Sequence, residues 1–165
     1  MFVVPKSGSI MLRNRVGMTN EELIEDSEES LRSRTDGGLN LWGHLSYAHK
    51  YRLMLDGYLI VFNYRDPRDT IVSHYYWENK TGKDISWDTA LYQSLEFMKR
   101  MSGWERFAHI YTRYELFANN GQPHSYTFRR GIIGSWRDEL PPDIAARYDA
   151  LKGDLQRWEW TCRLD

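Results

Sequence analysis

Short runs of apolar residues, separated by stretches with helical spacing, recur along this 165-residue chain. The clearest run is Leu-Ile-Val-Phe at residues 59–62, which is typical of a strand buried on both faces of a parallel sheet. Two more strands are predicted at residues 1–4 and 107–111, and residues 39–45 are a further short apolar segment. The pattern therefore predicts short strands spread over most of the chain.

Helices are predicted between these apolar runs. Asp66 is a good N-cap and Pro67 suits the first helical position, so a helix should follow the strand at 59–62 and end near residues 81–82. A second amphipathic helix, capped by Ser86, should carry the apolar residues Trp87, Leu91, Leu95 and Met98. A last helix should present to the core Ile144, Tyr148, Leu151, Leu155 and Trp158.

Two other segments give weaker patterns. Residues 18–38 are polar and acidic, and we predict a solvated helix and loop there, with Leu23, Ile24 and Leu31 on the helix. A mobile flap is the alternative for this segment. Residues 47–55 are predicted to form a short helix that leads into the strand at 59–62.

The composition is that of a single domain spanning residues 1–165. The chain is long enough to bury about 70% of its unfolded surface, and no linker or repeat divides it. The net charge of −1 argues against nucleic acid or a membrane surface as a partner. No signal peptide or membrane-spanning stretch is visible, and the single cysteine, Cys162, fits a reducing compartment. We therefore expect a cytoplasmic protein, and the sequence leaves its oligomeric state open.

The junction after residues 59–62 is a candidate anion site. A strand that feeds a helix start gathers backbone N–H groups and the positive end of the helix dipole. Arg65 adds a guanidinium, and Ser73 adds a hydroxyl on the helix face shared by Asp66 and Thr70. Two readings are equally compatible with these residues alone: a phosphate monoester site, or a structural arginine with an ordinary helical serine.

A second candidate anion site directly follows the first predicted strand. Its residues are Pro5, Lys6, Ser7, Gly8 and Ser9. A glycine in a serine-rich turn lets backbone N–H groups surround an anion, and the lysine adds a point charge. The spacing differs from the Walker A motif, G-x-x-x-x-G-K-[ST]. An ordinary turn with a solvated lysine is the alternative.

Taken together, these segments resemble motifs of the sulfotransferases that use 3′-phosphoadenosine 5′-phosphosulfate (PAPS). Residues 64–69 and 72–73 are similar to the 3′-phosphate motif, in which an arginine and a serine eight residues later hold the phosphate; Arg65 and Ser73 have this spacing. Residues 5–9 resemble the 5′-phosphosulfate loop, commonly PKSGTTW. Ile10 replaces a threonine of that loop, and Met11 replaces a tryptophan that stacks on adenine in many members. The resemblance assigns residues 5–10 to the phosphosulfate.

His44 lies between these two motifs. In the family, a strand at this place ends in a histidine, often as THLP or GHLP, that serves as the catalytic base. Gly43, His44 and Leu45 fit the second form, with Ser46 where proline is frequent. A lone histidine in an apolar segment is more often structural, so the proposed role depends on the resemblance. Trp42 stands where the cytosolic mammalian members have a lysine.

Two later segments resemble further family motifs. Arg113, Tyr114 and Glu115 are similar to RYEDL, in which the tyrosine lies close to the adenine. Residues 128–136 are similar to RKGxxGDW, whose basic pair and glycine backbone close over the 3′-phosphate. The corresponding residues here are Phe128, Arg129, Arg130 and Gly131. Ser135 departs from the aspartate of that motif, and a plain basic loop is the alternative.

The resemblance implies a fold and an activity. The expected fold is a compact, P-loop-like α/β sulfotransferase fold, with a mainly parallel sheet, helices on both faces and phosphate loops at the carboxyl ends of strands. The expected activity is sulfuryl transfer from PAPS to a hydroxyl or amine of a small-molecule or glycan acceptor, with PAP as the product. His44 would be the general base, Lys6 would stabilise the leaving phosphate, and no metal is expected.

Two alternatives to this activity remain open. The first is a module that binds PAPS or PAP without turnover, which is favoured by Trp42, Ile10 and Met11 and by the short segments between motifs. The second is a P-loop nucleotide kinase, which is disfavoured because the sequence lacks a Walker lysine and a Mg²⁺-binding pattern.

Overall fold

A computed structural model describes residues 2–3, 12, 21–35, 40–116 and 132–153 of the chain. Within these residues, five strands form one sheet in which every recorded pairing is parallel. The strands are β1 (Phe2–Val3), β2 (Glu21–Ile24), β3 (Asn40–Gly43), β4 (Val61–Tyr64) and β5 (Ile110–Arg113). Their order across the sheet is β2-β3-β1-β4-β5, so β1 is the central strand.

Six helices lie in the same described part of the chain. They are α1 (Glu28–Thr35), α2 (His49–Met54), α3 (Pro67–Lys80), α4 (Trp87–Met101), α5 (Trp136–Glu139) and α6 (Pro142–Leu151). The predicted caps are confirmed. The Asp66 side chain accepts a hydrogen bond from the Arg68 backbone N–H at 2.9 Å, and Ser86 Oγ accepts one from the Thr89 N–H at 3.1 Å.

The structure confirms the α/β class and the parallel sheet. The short helix predicted at residues 47–55 is α2, and strand β4 ends directly before the junction that carries Arg65. The placement of helices on both faces stays a prediction, because most of the segment that joins β1 to β2 lies outside the described residues. No helix in the described part of the chain is long and apolar enough to cross a membrane.

The helix predicted across Leu23 and Ile24 is wrong, because these residues belong to strand β2. The strand pairs with β3 along its whole length, and this pairing overrides the weak local helical signal. Burial alternates as a strand requires: Ile24 is buried, whereas Leu23 is half exposed. Leu31 lies on α1 and is buried, as predicted for that part of the segment.

Other element boundaries shift by a few residues. Leu59 precedes β4 and is largely exposed, so only part of the apolar run at 59–62 enters the sheet. A 3₁₀ turn occupies Trp104–Arg106, and β5 therefore begins later than predicted, at Ile110. Leu151 ends α6 and is exposed, which contradicts its predicted core position, and Leu155 and Trp158 lie outside the described residues.

The core lies between the sheet and the helices, and β4 shows why the sheet is buried. Phe62, Asn63 and Tyr64 are all buried although successive side chains point to opposite faces, so both faces of this strand are covered. The Asn63 amide oxygen accepts a hydrogen bond from Thr112 Oγ1 at 2.9 Å. The helices contribute Ile71, Val72, Leu91, Leu95, Met98, Ile144 and Tyr148.

Gly43 closes strand β3 where only a glycine fits. A Cβ atom at this position would lie 2.5 Å from the carbonyl oxygen of Ile24 and 2.8 Å from its Cγ1. The first of these atoms belongs to the backbone of the paired strand and cannot move away without distorting β2. The glycine therefore permits the close approach of β2 and β3 directly before His44.

We predict that Gly43→Ala destabilises the fold by about 1–3 kcal/mol, the usual cost of forcing an extra methyl group into packed structure. The midpoint of urea-induced unfolding of the variant and the wild type measures this cost. An unchanged midpoint would contradict the close approach of the two strands.

Candidate functional site

The carboxyl ends of β1, β3 and β4 meet at the centre of the sheet. Phe2 pairs with Gly43 on one side and with Phe62 on the other, and Val3 pairs with Asn63. The chain leaves β4 towards β5 on one side, whereas β2 and β3 lie on the other side of β1. In open parallel sheets, the crevice beside such a reversal is the usual ligand site.

This arrangement brings together the carboxyl ends of the three strands that precede three of the sequence motifs. The segment that begins with Pro5 follows β1 after one residue, His44 follows β3 directly, and Arg65 follows β4 directly. Neighbouring strands are about 4.8 Å apart, so β3 and β4 are about 10 Å apart across β1. The residues of the loop itself, Pro5, Lys6, Ser7, Gly8, Ser9 and Ile10, lie outside the described residues.

Arg65 is a buried cation at the carboxyl end of β4. Only 8% of its side chain is exposed. Its guanidinium carbon lies 4.2 Å from the centre of the Tyr114 ring, and Nη2 lies 3.4 Å from the carbonyl oxygen of Ile132 and 3.6 Å from Asp69 Oδ2. Within the described part of the chain, its buried Nε has no hydrogen-bond partner. A fixed guanidinium with donor capacity left over is suited to an anionic ligand.

Some of the backbone N–H groups at the start of helix α3, which could bind an anion, already have partners within the protein. The Asp66 carboxylate accepts hydrogen bonds from the backbone and the guanidinium of Arg68, and Pro67 has no N–H. The backbone N–H of Asp66 donates to Glu115 Oε1 at 3.1 Å. The expected cluster of unpaired backbone donors is therefore largely occupied, which leaves Arg65 as the main anion-binding group of this junction.

The Asp69 carboxylate joins α3 to residues 134–136. It is 1% exposed and accepts hydrogen bonds from the backbone N–H groups of Gly134, at 2.7 Å, and Trp136, at 2.9 Å. The Ser135 hydroxyl lies 3.4 Å from the same carboxylate. The end of the segment at residues 128–136 is thus held beside the segment at residues 64–73, although 65–67 positions separate the contacting residues in the chain.

The Tyr114 ring contacts Arg65, and Ser73 lies further along α3. Ser73 lies one helical turn beyond Asp69 on the same face of α3, and it is half-buried. Its hydroxyl makes no hydrogen bond within the described residues, so it is available to a ligand. Tyr114 is buried with one ring face covered by Arg65, so an adenine would meet its edge or its other face.

The main chain around His44 is held at three points. Gly43 belongs to the β3 ladder, the Leu45 carbonyl accepts a hydrogen bond from Trp104 Nε1 at 2.8 Å, and Ser46 donates from both its N–H and its hydroxyl to Asp26. The half-buried His44 therefore occupies a well-defined place at the edge of the crevice. His49, by contrast, is exposed at the first position of α2.

The structure does not describe the other predicted site residues. Phe128, Arg129, Arg130 and Gly131 lie outside the described residues, as does Lys6. Within the described part of the chain, no group of three or more His, Cys, Asp or Glu side chains could hold a metal ion.

Sequence reasoning missed the contacts of Asp69 and Glu115. From the sequence, Asp69 is only a negative charge in the first turn of a helix, which suits the helix dipole, and no role is predicted for Glu115. The sequence shows Asp69 in the first turn of the helix, but nothing near it indicates its partners, which are more than 60 residues away.

Glu115 is half-buried, and its carboxyl lies near Arg65. Its Oε1 accepts the Asp66 N–H, whereas its buried Oε2 has no hydrogen-bond partner among the described residues. Burial raises the pKa of the Glu115 carboxyl above its usual range, and the backbone hydrogen bonds and the charge of Arg65 act against this rise without cancelling it.

We predict that Glu115→Gln becomes progressively more stable relative to the wild type as the pH rises from about 4.3. Because its pKa is raised in the fold, native Glu115 holds its proton at pH values where the unfolded chain has lost it, so wild-type stability falls across that window. Glutamine keeps the acceptor for the Asp66 N–H. Urea unfolding between pH 4 and 8 tests this, with exposed Glu29→Gln correcting for the loss of one charge; a pH-independent difference would refute it.

The fold of this chain is similar to that of a solved structure. The crystal structure of a mouse sulfotransferase complexed with PAP matches 93% of this chain and 81% of that chain, with a TM-score of 0.64 and 13% sequence identity. No protein-family model and no curated protein matches the sequence. At this identity the likeness shows the fold alone. It confirms at that level the resemblance predicted from the motifs: the chain has the sulfotransferase fold.

Proposed function

We propose that this protein is a sulfotransferase that uses PAPS to sulfate a hydroxyl or amine of a small-molecule or glycan acceptor. The observation that carries the proposal is the register of the sheet. By pairing β1 with both β3 and β4, it brings the starts of the phosphosulfate loop, the histidine segment and the 3′-phosphate segment to one crevice. The likeness to a PAP-bound mouse sulfotransferase supports the same assignment.

The residues at the crevice suit the 3′-phosphate of such a nucleotide. Arg65 is fixed by the Tyr114 ring and by Asp69, and its buried Nε lacks a partner within the described residues. The Ser73 hydroxyl adds a second donor on the adjacent helix face. In this proposal Arg65 and Ser73 bind the phosphate from one side, and Arg129 and Arg130 bind it from the other.

The remaining roles follow from the order of the strands. PAPS, when bound, supplies an activated sulfuryl group. Lys6 and the backbone of residues 5–10 hold the 5′-phosphosulfate, and Lys6 stabilises negative charge on the leaving phosphate. His44 follows the strand on the far side of β1 from Arg65 and accepts the proton of the acceptor at a ring nitrogen. Tyr114 lies at the adenine end.

A binding module without turnover is the second candidate. Trp42 favours it, because the family resemblance places a lysine there in the cytosolic mammalian members and the half-buried indole in β3 supplies no cation. Transfer of labelled sulfate from PAPS to a panel of phenols, alcohols and amines separates the two candidates. Transfer establishes the enzyme, whereas PAP binding without transfer to any acceptor establishes the module.

We predict that Arg65→Ala weakens PAP binding by about 10–100-fold and leaves 5′-AMP binding nearly unchanged. A charge-assisted hydrogen bond contributes about 1.5–3 kcal/mol, and only PAP has the 3′-phosphate. Isothermal titration of both ligands measures the two affinities. Arg68→Ala is the matched control, since the guanidinium of Arg68 is bound by Asp66 and stacks on Trp136. Equal weakening of PAP and AMP by Arg65→Ala would make Arg65 structural.

We predict that His44→Ala lowers the turnover of sulfuryl transfer by about 10²–10⁴-fold, the usual contribution of a positioned general base. PAP affinity should change little, because His44 lies on the acceptor side of the crevice. His49→Ala, at an exposed position of α2, is the control and should keep normal turnover. Full activity of His44→Ala would remove it as the base, and loss of PAP binding would make it structural.

A further inference from the structure

The Asp69 carboxylate makes several contacts beside Arg65, and none of them is explained by the cap of α3. Oδ2 accepts from the Gly134 N–H and lies near Arg65 Nη2, whereas Oδ1 accepts from the Trp136 N–H and faces the Ser135 hydroxyl. The two oxygens thus hold two backbone donors and one guanidinium at once. A neutral side chain of the same size could not satisfy all of them.

The segment held by Asp69 also contacts Arg65 directly. The carbonyl oxygen of Ile132 lies 3.4 Å from Arg65 Nη2, two residues before Gly134. Asp69 therefore holds residues 134–136 against α3 at the place where the same segment meets Arg65. The same carboxylate also fixes the guanidinium of Arg65.

We propose that Asp69 is a positioning residue of the nucleotide site, which holds Arg65 and residues 134–136 together beside the 3′-phosphate. This inference rests on the proposed function, because it presupposes that PAP binds at Arg65. In this proposal the preference of the site for a ligand with a 3′-phosphate depends on Asp69, although its carboxylate does not itself contact the ligand.

The electrostatics explain why a carboxylate can serve beside an anion site. Asp69 is buried and its charge is compensated by two backbone N–H groups and by Arg65. An incoming phosphate therefore meets the remaining donors of Arg65 and not an uncompensated negative charge. The 3.6 Å separation between Arg65 Nη2 and Asp69 Oδ2 is longer than a hydrogen bond, so the guanidinium keeps donor capacity for a ligand.

Asp69→Asn tests the proposal. The amide keeps one acceptor oxygen but points an NH₂ group at one of the two backbone N–H groups, so residues 134–136 lose one attachment. We expect PAP affinity to fall by about 10–100-fold and 5′-AMP affinity to stay within about 3-fold of the wild type. Asp138→Asn is the matched control, because this exposed carboxyl lies on α5 two residues after Trp136. It should leave both affinities unchanged.

A double-mutant cycle with Arg65→Ala separates positioning from general destabilisation. If Asp69 acts by positioning Arg65, Asp69→Asn should weaken PAP binding much less in the Arg65→Ala background than in the wild type. A merely structural Asp69 would give additive losses and would weaken PAP and 5′-AMP alike, and either result overturns the proposal.

Hydrogen exchange of the wild type covers the case in which Asp69→Asn fails to fold. Protected amides at Gly134 and Trp136 that exchange still more slowly with PAP support the positioning role. Fast exchange at both amides, or protection that PAP leaves unchanged, overturns it. If the wild type binds no PAP at all, the proposed function is wrong. If the wild type binds PAP and Asp69→Asn binds it equally well, only the positioning role of Asp69 is refuted.

Discussion

The parallel pairing of the short central strand β1 with both β3 and β4 is the constraint on which the site depends. Because every recorded pairing is parallel, all five strands end at the same edge of the sheet. Residues that are about 60 positions apart in sequence, such as Val3 and Asn63, become direct neighbours there. A shift of β1 by one residue would turn its side chains to the other faces and displace the loop that follows it. The geometry of the crevice is therefore set by strand register.

The charged residues beside the crevice are costly for stability. Arg65 and Asp69 are both almost fully buried, and a buried ion pair adds little net stability compared with well-packed apolar residues. Removing one partner leaves an unpaired buried charge, which typically costs about 3–5 kcal/mol. The half-buried Glu115 adds a second carboxyl, whose buried Oε2 has no hydrogen-bond partner among the described residues. Such a concentration of buried charge at the carboxyl ends of parallel strands is typical of a binding site.

Local sequence signals predicted much of the fold. The caps at Asp66 and Ser86 depend on residues two or three positions away, and both are present as predicted. The four apolar residues at 59–62 correctly indicated a buried strand, although the strand itself begins at Val61. Strand β2 was missed, because Glu21–Ile24 has an acidic composition and forms its structure only by pairing with β3.

The site was predictable to a smaller extent. The order of the motifs indicated Arg65, Ser73 and His44. The structure places His44 after β3 and Arg65 after β4, the two strands on either side of β1. The contacts of Asp69 with Gly134 and Trp136 were not predictable, since no local pattern reveals partners 65–67 residues away. Gly43 is a similar case, because the need for glycine comes from the carbonyl of Ile24 in the paired strand.

A crystal structure of the protein with PAP tests the central claim most directly. The claim predicts the 3′-phosphate within hydrogen-bond distance, about 2.7–3.2 Å, of both the Arg65 guanidinium and the Ser73 hydroxyl. It also predicts the 5′-phosphate at the carboxyl end of β1. A nucleotide whose 3′-phosphate contacts neither Arg65 nor Ser73, or one bound away from the carboxyl ends of β1 and β4, would contradict it.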